Sequence, residues 1–300
     1  MTTISSSKNV RGLAFVPRYR SRWNAKRVVA RVLRYLALLP IVIFAVLPFY
    51  WMLCTAATPT ADAFSLSPSL WPTVLTFDNF VRVVSSTTNP FVQQFLNTVL
   101  VSLAATALAM IFGLSGAYAL ARLSFRGRGT LGTGIILLQF FPGVLLVIPL
   151  FVVLSRLGLT NSLVGLAIAY TTLTLPFTIW ILRGYLQSLP VEIEDAARVD
   201  GCSYIGVIVR IVIPTIAPAL AVVATLAFVS SWNEYLLALV LVNKPGMQLL
   251  GVGLTSFASQ YGTDFPGLFA MATLTTIPVV LVFLVFQRSL VGGLSAGAIK

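Results

Sequence analysis

The chain has 300 residues, of which 58% are hydrophobic and 9% charged, with a mean hydropathy of +0.94. A water-soluble domain carries roughly 25% charged residues, so most of this surface faces lipid; at about 20 apolar residues per span the length supplies on the order of six membrane helices and excludes a large extramembrane domain. Twenty Lys and Arg against eight Asp and Glu give +12, and the absence of His removes imidazole general bases, His metal sites and His-based triads, so no catalytic or metal site is expected.

Nine basic residues from Lys8 to Arg34, with no acid among them, precede the first apolar run, Tyr35 to Cys54. A charge block so placed reads as a cytoplasmic tail over residues 1–34, in contact with the membrane lipid, and not as a nucleic-acid site. It is too long for the n-region of a signal peptide, so the first run is expected to be an uncleaved span. Five further runs follow: Val92 to Ala121, Thr130 to Ser155, Ser162 to Leu182, Ile211 to Val242 and Gly267 to Gln287. Together they predict an all-α, polytopic fold, a six-helix membrane domain over 35–290 with a short cytoplasmic tail at 291–300. Prolines 40, 48, 142, 149, 176, 218 and 278 fall inside these runs, where neighbouring helices can re-satisfy the backbone. At Pro142-Gly143 a re-entrant turn competes with a crossing.

With a cytoplasmic N-terminus, the inner segments hold 17 of the 20 basic residues and the outer loops hold Arg82, Arg156 and Lys244. That asymmetry predicts both termini inside. Cys54 and Cys202 then lie on opposite sides and cannot pair. The longer outer loops, Thr55 to Phe91 and Asn243 to Pro266, read equally as partner contacts or as simple helix connections.

Residues 189–202, between the fourth and fifth runs, hold half of the chain's acidic residues. Pro190 suits the first position of a short helix, Glu192, Glu194 and Asp195 sit toward its positive end, and Gly201 is the expected stop. Ala196 and Ala197 leave its middle thin, a shape for docking into a cleft. Tyr204 to Ile213 then leads through Pro214 into the fifth span, so force on this short cytoplasmic helix would pass into the membrane. Glu234 is the one acid inside an apolar run; with Asn233 it reads either as a pathway residue or as a structural hydrogen-bonding group. Trp51, Trp71, Trp180 and Tyr170 read as interfacial or packing aromatics, and Gly113, Gly116 and Ala117 as sites of close helix approach. No residue is assigned to substrate.

The tract Glu194-Asp195-Ala196-Ala197, followed by Asp200-Gly201, Ile213-Pro214 and Pro218, resembles the EAA loop of permease subunits in bacterial ATP-binding-cassette importers, with Asp195 where that family usually has Glu. Ala117 to Leu123 with Phe125-Arg126-Gly127, Leu157 to Ser162, and Trp232-Asn233-Glu234-Tyr235 resemble the maltose-type carbohydrate importers. Gln287-Arg288 and Gly293 to Lys300 resemble the end of their six-span, MalG-like subunit.

The resemblance implies a cell-membrane protein in which Glu194, Asp195, Ala196, Ala197, Asp200 and Gly201 form a coupling helix against an ATPase, and Gly297, Ala298 and Lys300 a tail contacting the ATPase pair. It implies a second permease subunit, two ATP-binding subunits and an extracytoplasmic sugar-binding protein as partners. No phosphate-binding loop is present in this sequence, so ATP and Mg belong to the ATPase subunits and no cofactor is expected in this chain. The competing readings are a stand-alone secondary carrier or channel and a membrane enzyme, the latter lacking candidate catalytic groups.

Overall fold

In lipid every backbone N–H and C=O must be bonded within the chain, so apolar runs of this length fold as helices. The computed structural model describes the backbone of residues 25–60, 71, 74–259 and 262–298, and the side chains of 28–60, 71, 74–258 and 262–287. It is helical except for a small antiparallel pairing of β1 (Ala258–Ser259) with β2 (Gly262–Thr263). The chain divides into two units, residues 1–50 and 51–300.

Helix α1 (Ala25–Ala56) supplies the described part of the first unit and continues into the second. It starts about ten residues before the expected apolar run, so the final basic residues of the proposed tail, Lys26, Arg27, Arg31 and Arg34, occupy its first turns. Pro40 and Pro48 sit inside it without ending it. From Tyr35 to Phe49 every side chain is apolar, as a helix in lipid requires. The basic residues before Ala25 lie outside the described residues.

The second unit is centred on α3 (Phe91–Arg122) and α6 (Leu163–Ser188), which pack along their length. At 1.5 Å per residue α3 is about 48 Å long, so it protrudes from the hydrocarbon. Small residues set the approach, as expected. A Cβ added at Gly113 would collide with Thr178 Cγ2, and one at Gly116 would lie 3.2 Å from Ile179 Cδ1. Short helix α2 (Asp78–Ser85) precedes this pair.

Two runs expected as continuous spans are broken. Thr130 to Ser155 forms α4 (Arg128–Leu138) and α5 (Gly143–Arg156), bent by 106°. Pro142 fixes φ at −58° and lacks a donor, and the N–H groups of Gln139, Phe140 and Phe141 turn back onto carbonyls three residues earlier. The two arms of the elbow reach toward opposite ends of α6. Ile135 on α4 packs against Ile179 and Leu182 near one end of α6, while Leu154 on α5 packs with Leu166 and Tyr170 near the other. Counting each bent pair as one span, the helices reach the expected six.

The fifth run departs further. After α7 (Val191–Val199), α8 (Tyr204–Val207), a π-helical turn (Ile208–Val212) and α9 (Ile213–Thr215) form an arm bent by 82° from α10 (Ala217–Trp232). Pro218 cannot donate to the carbonyl of Pro214, and the ladder opens at Ile216. Thus Ile211–Thr215 belongs to the arm, and α10 is followed by a second break at Asn233–Tyr235 before α11 (Leu236–Leu241). Helix α12 (Leu250–Thr255) and α13 (Phe265–Ala298) complete the unit. Helix α10 packs on α3, α6 and α13, with Phe228 and Trp232 against Phe91, Phe95 and Met271.

The α3–α6 contact makes a direct prediction. Gly113→Val should destabilise the detergent-solubilised protein by about 1–3 kcal/mol through overpacking, whereas Gly184→Ala, with open space at its Cα, should not. Thermal unfolding followed by a thiol-reactive dye measures both.

Candidate functional site

The short helix α7 is held by its inward face. Glu194 and Ala197, three residues apart, both point into the chain and are buried. Glu194 Oε1 accepts from Arg122 Nε at 2.7 Å, and its Oε2 accepts from the Tyr118 hydroxyl at 2.8 Å. The Arg122 and Glu194 side chains are 9% and 6% exposed, so the ion pair is out of water. Arg122 also donates to the Leu189 carbonyl at 3.1 Å, tying the strand of chain that enters α7. Tyr118 and Arg122 lie one helical turn apart at the end of α3, so one face of that helix grips one face of α7.

The end of α3 is itself secured. Arg128 donates to the carbonyls of Leu120 and Ala121, two of the acceptors that a helix C-terminus leaves free. Gly127, at φ +87°, turns the chain so that Arg128 can reach back.

The start and stop of α7 were expected from Pro190 and Gly201, and the stop is as expected. Gly201 has φ +86°, its N–H donates to Arg198 O, and the Cys202 N–H donates to Ala197 O at 3.0 Å. These two bonds form a Schellman cap. Pro190 instead precedes the first turn, with ψ 131°, so Val191 opens the helix.

The expectation that Ala196 and Ala197 together present a thin docking surface is corrected by the burial. Ala196 is exposed, but Ala197 packs inward with Leu186, Val207 and Leu120. The outer face consists of Glu192, Asp195, Ala196 and Val199, with Asp200 exposed at the end. Asp195 pairs loosely with Arg198 at 3.7 Å, and the Arg198 guanidinium lies 4.0 Å above the Tyr204 ring. Val199 is 89% exposed and Ile205 74%.

Asn233 and Glu234 occupy the break between α10 and α11. Glu234 is half-buried; its Oε1 accepts from the Leu237 N–H at 2.8 Å and so starts α11, while its own carbonyl accepts from the Tyr170 hydroxyl. Asn233 is exposed and donates to Val229 O. Tyr170 is thus a buried hydrogen-bonding residue and not an interfacial one. The loop before α6 is also polar-tied: Asn161, at φ 52°, accepts from the N–H groups of Asn243 and Lys244, and Ser162 caps α6. Gly297 and Ala298 fall within the backbone of α13, and Lys300 lies outside the described residues. Among the described residues, no group of three His, Cys, Asp or Glu is placed to hold a metal.

Residues 105–295 match the family described as binding-protein-dependent transport system inner membrane component. The chain belongs to that family. The permease is 36% identical over 255 residues, 85% of this chain and 92% of the relative, to the diacetylchitobiose uptake system permease protein DasC of Streptomyces coelicolor. It is 32% identical to the trehalose/maltose transport system permease protein MalG of Thermococcus litoralis, covering 92% of this chain and 99% of that one. Its fold is similar to a chain of a bacterial ABC transporter involved in the import of the acidic polysaccharide alginate. That likeness has a TM-score of 0.75 at 24% identity, covering 88% of this chain and 97% of the other. The permease is a multi-pass membrane protein, and its family membership displaces the reading as a stand-alone carrier.

In the sequence Arg122 stands out only as a topological charge and as part of a family tract. The signal for its role was the i, i+4 spacing of Tyr118 and Arg122 at the end of a span, opposite a loop rich in acids. The Arg122–Glu194 pair makes its own prediction. Arg122→Met leaves the buried carboxylate unpaired and should cost about 3–5 kcal/mol, with Arg122→Met/Glu194→Met recovering most of it. A double-mutant cycle of thermal stability on the purified permease reads the coupling.

Proposed function

We propose that this chain is one of two permease halves of a carbohydrate importer, and that α7 is the element through which an ATPase subunit drives it. The observation that carries the reading is the division of α7 into two faces. Its inner face is fastened to α3 by a buried ion pair, and its outer face offers exposed Ala196 and Val199 among charges. A push on the outer face therefore reaches α3 through Arg122 and α10 through the capped turn into α8. Names of the relatives support sugar as the cargo, and family membership supports a separate binding protein as its source.

In this reading the ATPase subunits bind ATP and Mg, and this chain contributes only the mechanical link. Gly297 and Ala298, at the end of α13, and Lys300 after them contact the ATPase pair. The basic residues before Ala25 hold the N-terminus in the cytoplasm and meet the inner leaflet. The membrane is the bacterial cell membrane, with both termini inside.

Coupling is tested in the purified whole transporter. Ala196→Trp should prevent close approach of the ATPase, and Gly201→Val should strain the cap by about 1–2 kcal/mol. Both are expected to abolish sugar-stimulated ATP hydrolysis or to release the ATPase, while binding of the loaded sugar-binding protein persists. Normal stimulation in both variants would defeat the assignment. Orientation is read in intact cells with a membrane-impermeant maleimide: Cys54 should be reachable and Cys202 not, and labelling of Cys202 from outside would overturn the topology.

A further inference from the structure

The break at Asn233–Tyr235 opens a cavity of ≈ 300 Å³ between α6, α10 and the α4–α5 elbow, lined by Gln139, Tyr170, Thr174, Phe177, Ser231 and Glu234 among others. Tyr170 and Thr174 lie well inside the 26-residue α6, so the cavity sits at membrane depth. Polar groups at that depth mark a path for polar solute, and the volume is at the lower end of the range for small-molecule sites, about 300–1,000 Å³.

The lining is unfinished in its hydrogen bonding. Ser231 is 1% exposed and its Oγ has no partner, whereas almost every buried side-chain hydroxyl finds one. Glu234 uses Oε1 on the Leu237 N–H, which leaves Oε2 for a ligand. Tyr170 and Thr174 donate to the backbone, at Glu234 O and Tyr170 O, and keep oxygen lone pairs to offer. Phe177 adds an apolar face. The described lining holds one carboxylate and no Lys or Arg.

We propose that this cavity is a saccharide subsite of the transport path that takes uncharged sugars and rejects anionic ones, with Ser231, Tyr170 and Thr174 meeting hydroxyls and Glu234 setting the charge preference. A sugar ring presents many O–H donors and an apolar C–H face, which matches an acceptor-rich lining beside Phe177. A uronate or sulfonate would meet the Glu234 carboxylate with no cation to offset it. The assignment rests on the reading of the chain as a sugar permease and names the substrate class at this point of its path.

The test uses the whole transporter in membrane vesicles, with Cys54→Ser and Cys202→Ser as background and Ser231→Cys as reporter. Gln139→Cys, on the opposite wall, serves as a second reporter should the first disturb packing. The probes are the trimethylammonium-ethyl and sulfonatoethyl methanethiosulfonates, with rates normalised to those for free 2-mercaptoethanol. The cation should react about tenfold faster than the anion, the factor that 1.36 kcal/mol of charge preference produces, and Glu234→Gln should bring the ratio to about one. Trehalose or N,N′-diacetylchitobiose should slow labelling and digalacturonate should not.

Failure of both reporters to label, an unbiased normalised ratio, no protection by either neutral sugar, or equal protection by digalacturonate would each overturn the proposal. ATP hydrolysis stimulated by the loaded binding protein is recorded on the same vesicles. Loss of that stimulation with the labelling pattern intact would count against the permease–ATPase reading and not against the cavity.

Discussion

A chain in lipid cannot leave backbone groups unbonded, and this requirement governs where the protein is regular and where it breaks. The long helices α3, α6 and α13 meet it by themselves. At each interruption other groups take over. Gln139, Phe140 and Phe141 tighten onto i−3 carbonyls at the elbow, the Glu234 carboxylate receives the Leu237 N–H, and the Tyr170 hydroxyl reaches the Glu234 carbonyl. Polar side chains at membrane depth are therefore structural first, and the cavity beside them is built from the same residues.

The ends of the helices obey a different rule, because there water competes. Arg128 closes the end of α3, Ser162 opens α6, and Gly201 closes α7 in a left-handed turn. The buried pair of Arg122 and Glu194 stands at the boundary between these regimes. It is dry enough to be specific and close enough to the aqueous face to join a charged helix to an apolar one.

Span number was legible because hydrocarbon thickness sets a length that apolar runs must match. The breaks were only partly legible, since proline alone does not decide them. Pro40, Pro48, Pro149, Pro176 and Pro278 remain inside helices, whereas the elbow at Pro142 has Gly143 after it and the bend at Ile216 has Pro214 and Pro218 on either side. In α7 the cap could be read from Gly201, but the inward turn of Glu194 could not. Local spacing puts Glu194 and Ala197 on one face without saying which face α3 covers. The cavity was invisible for a related reason: Gln139, the Tyr170–Thr174 turn of α6 and Ser231 are far apart in sequence, and only the folded breaks bring them together.

Arg122 and Glu194 are separated by 72 residues, an interval that contains α4, α5 and α6. During synthesis the guanidinium therefore emerges well before its carboxylate and spends that time unpaired at the end of α3. On the proposed orientation it first serves as a positive charge that retains this end at the cytoplasmic surface while the elbow and α6 are inserted. When Glu194 arrives, the same group is neutralised and becomes part of the interior. The order of synthesis thus lets α7 take its fixed position against α3 only after α4, α5 and α6 have been made, and before α10 and α13 follow.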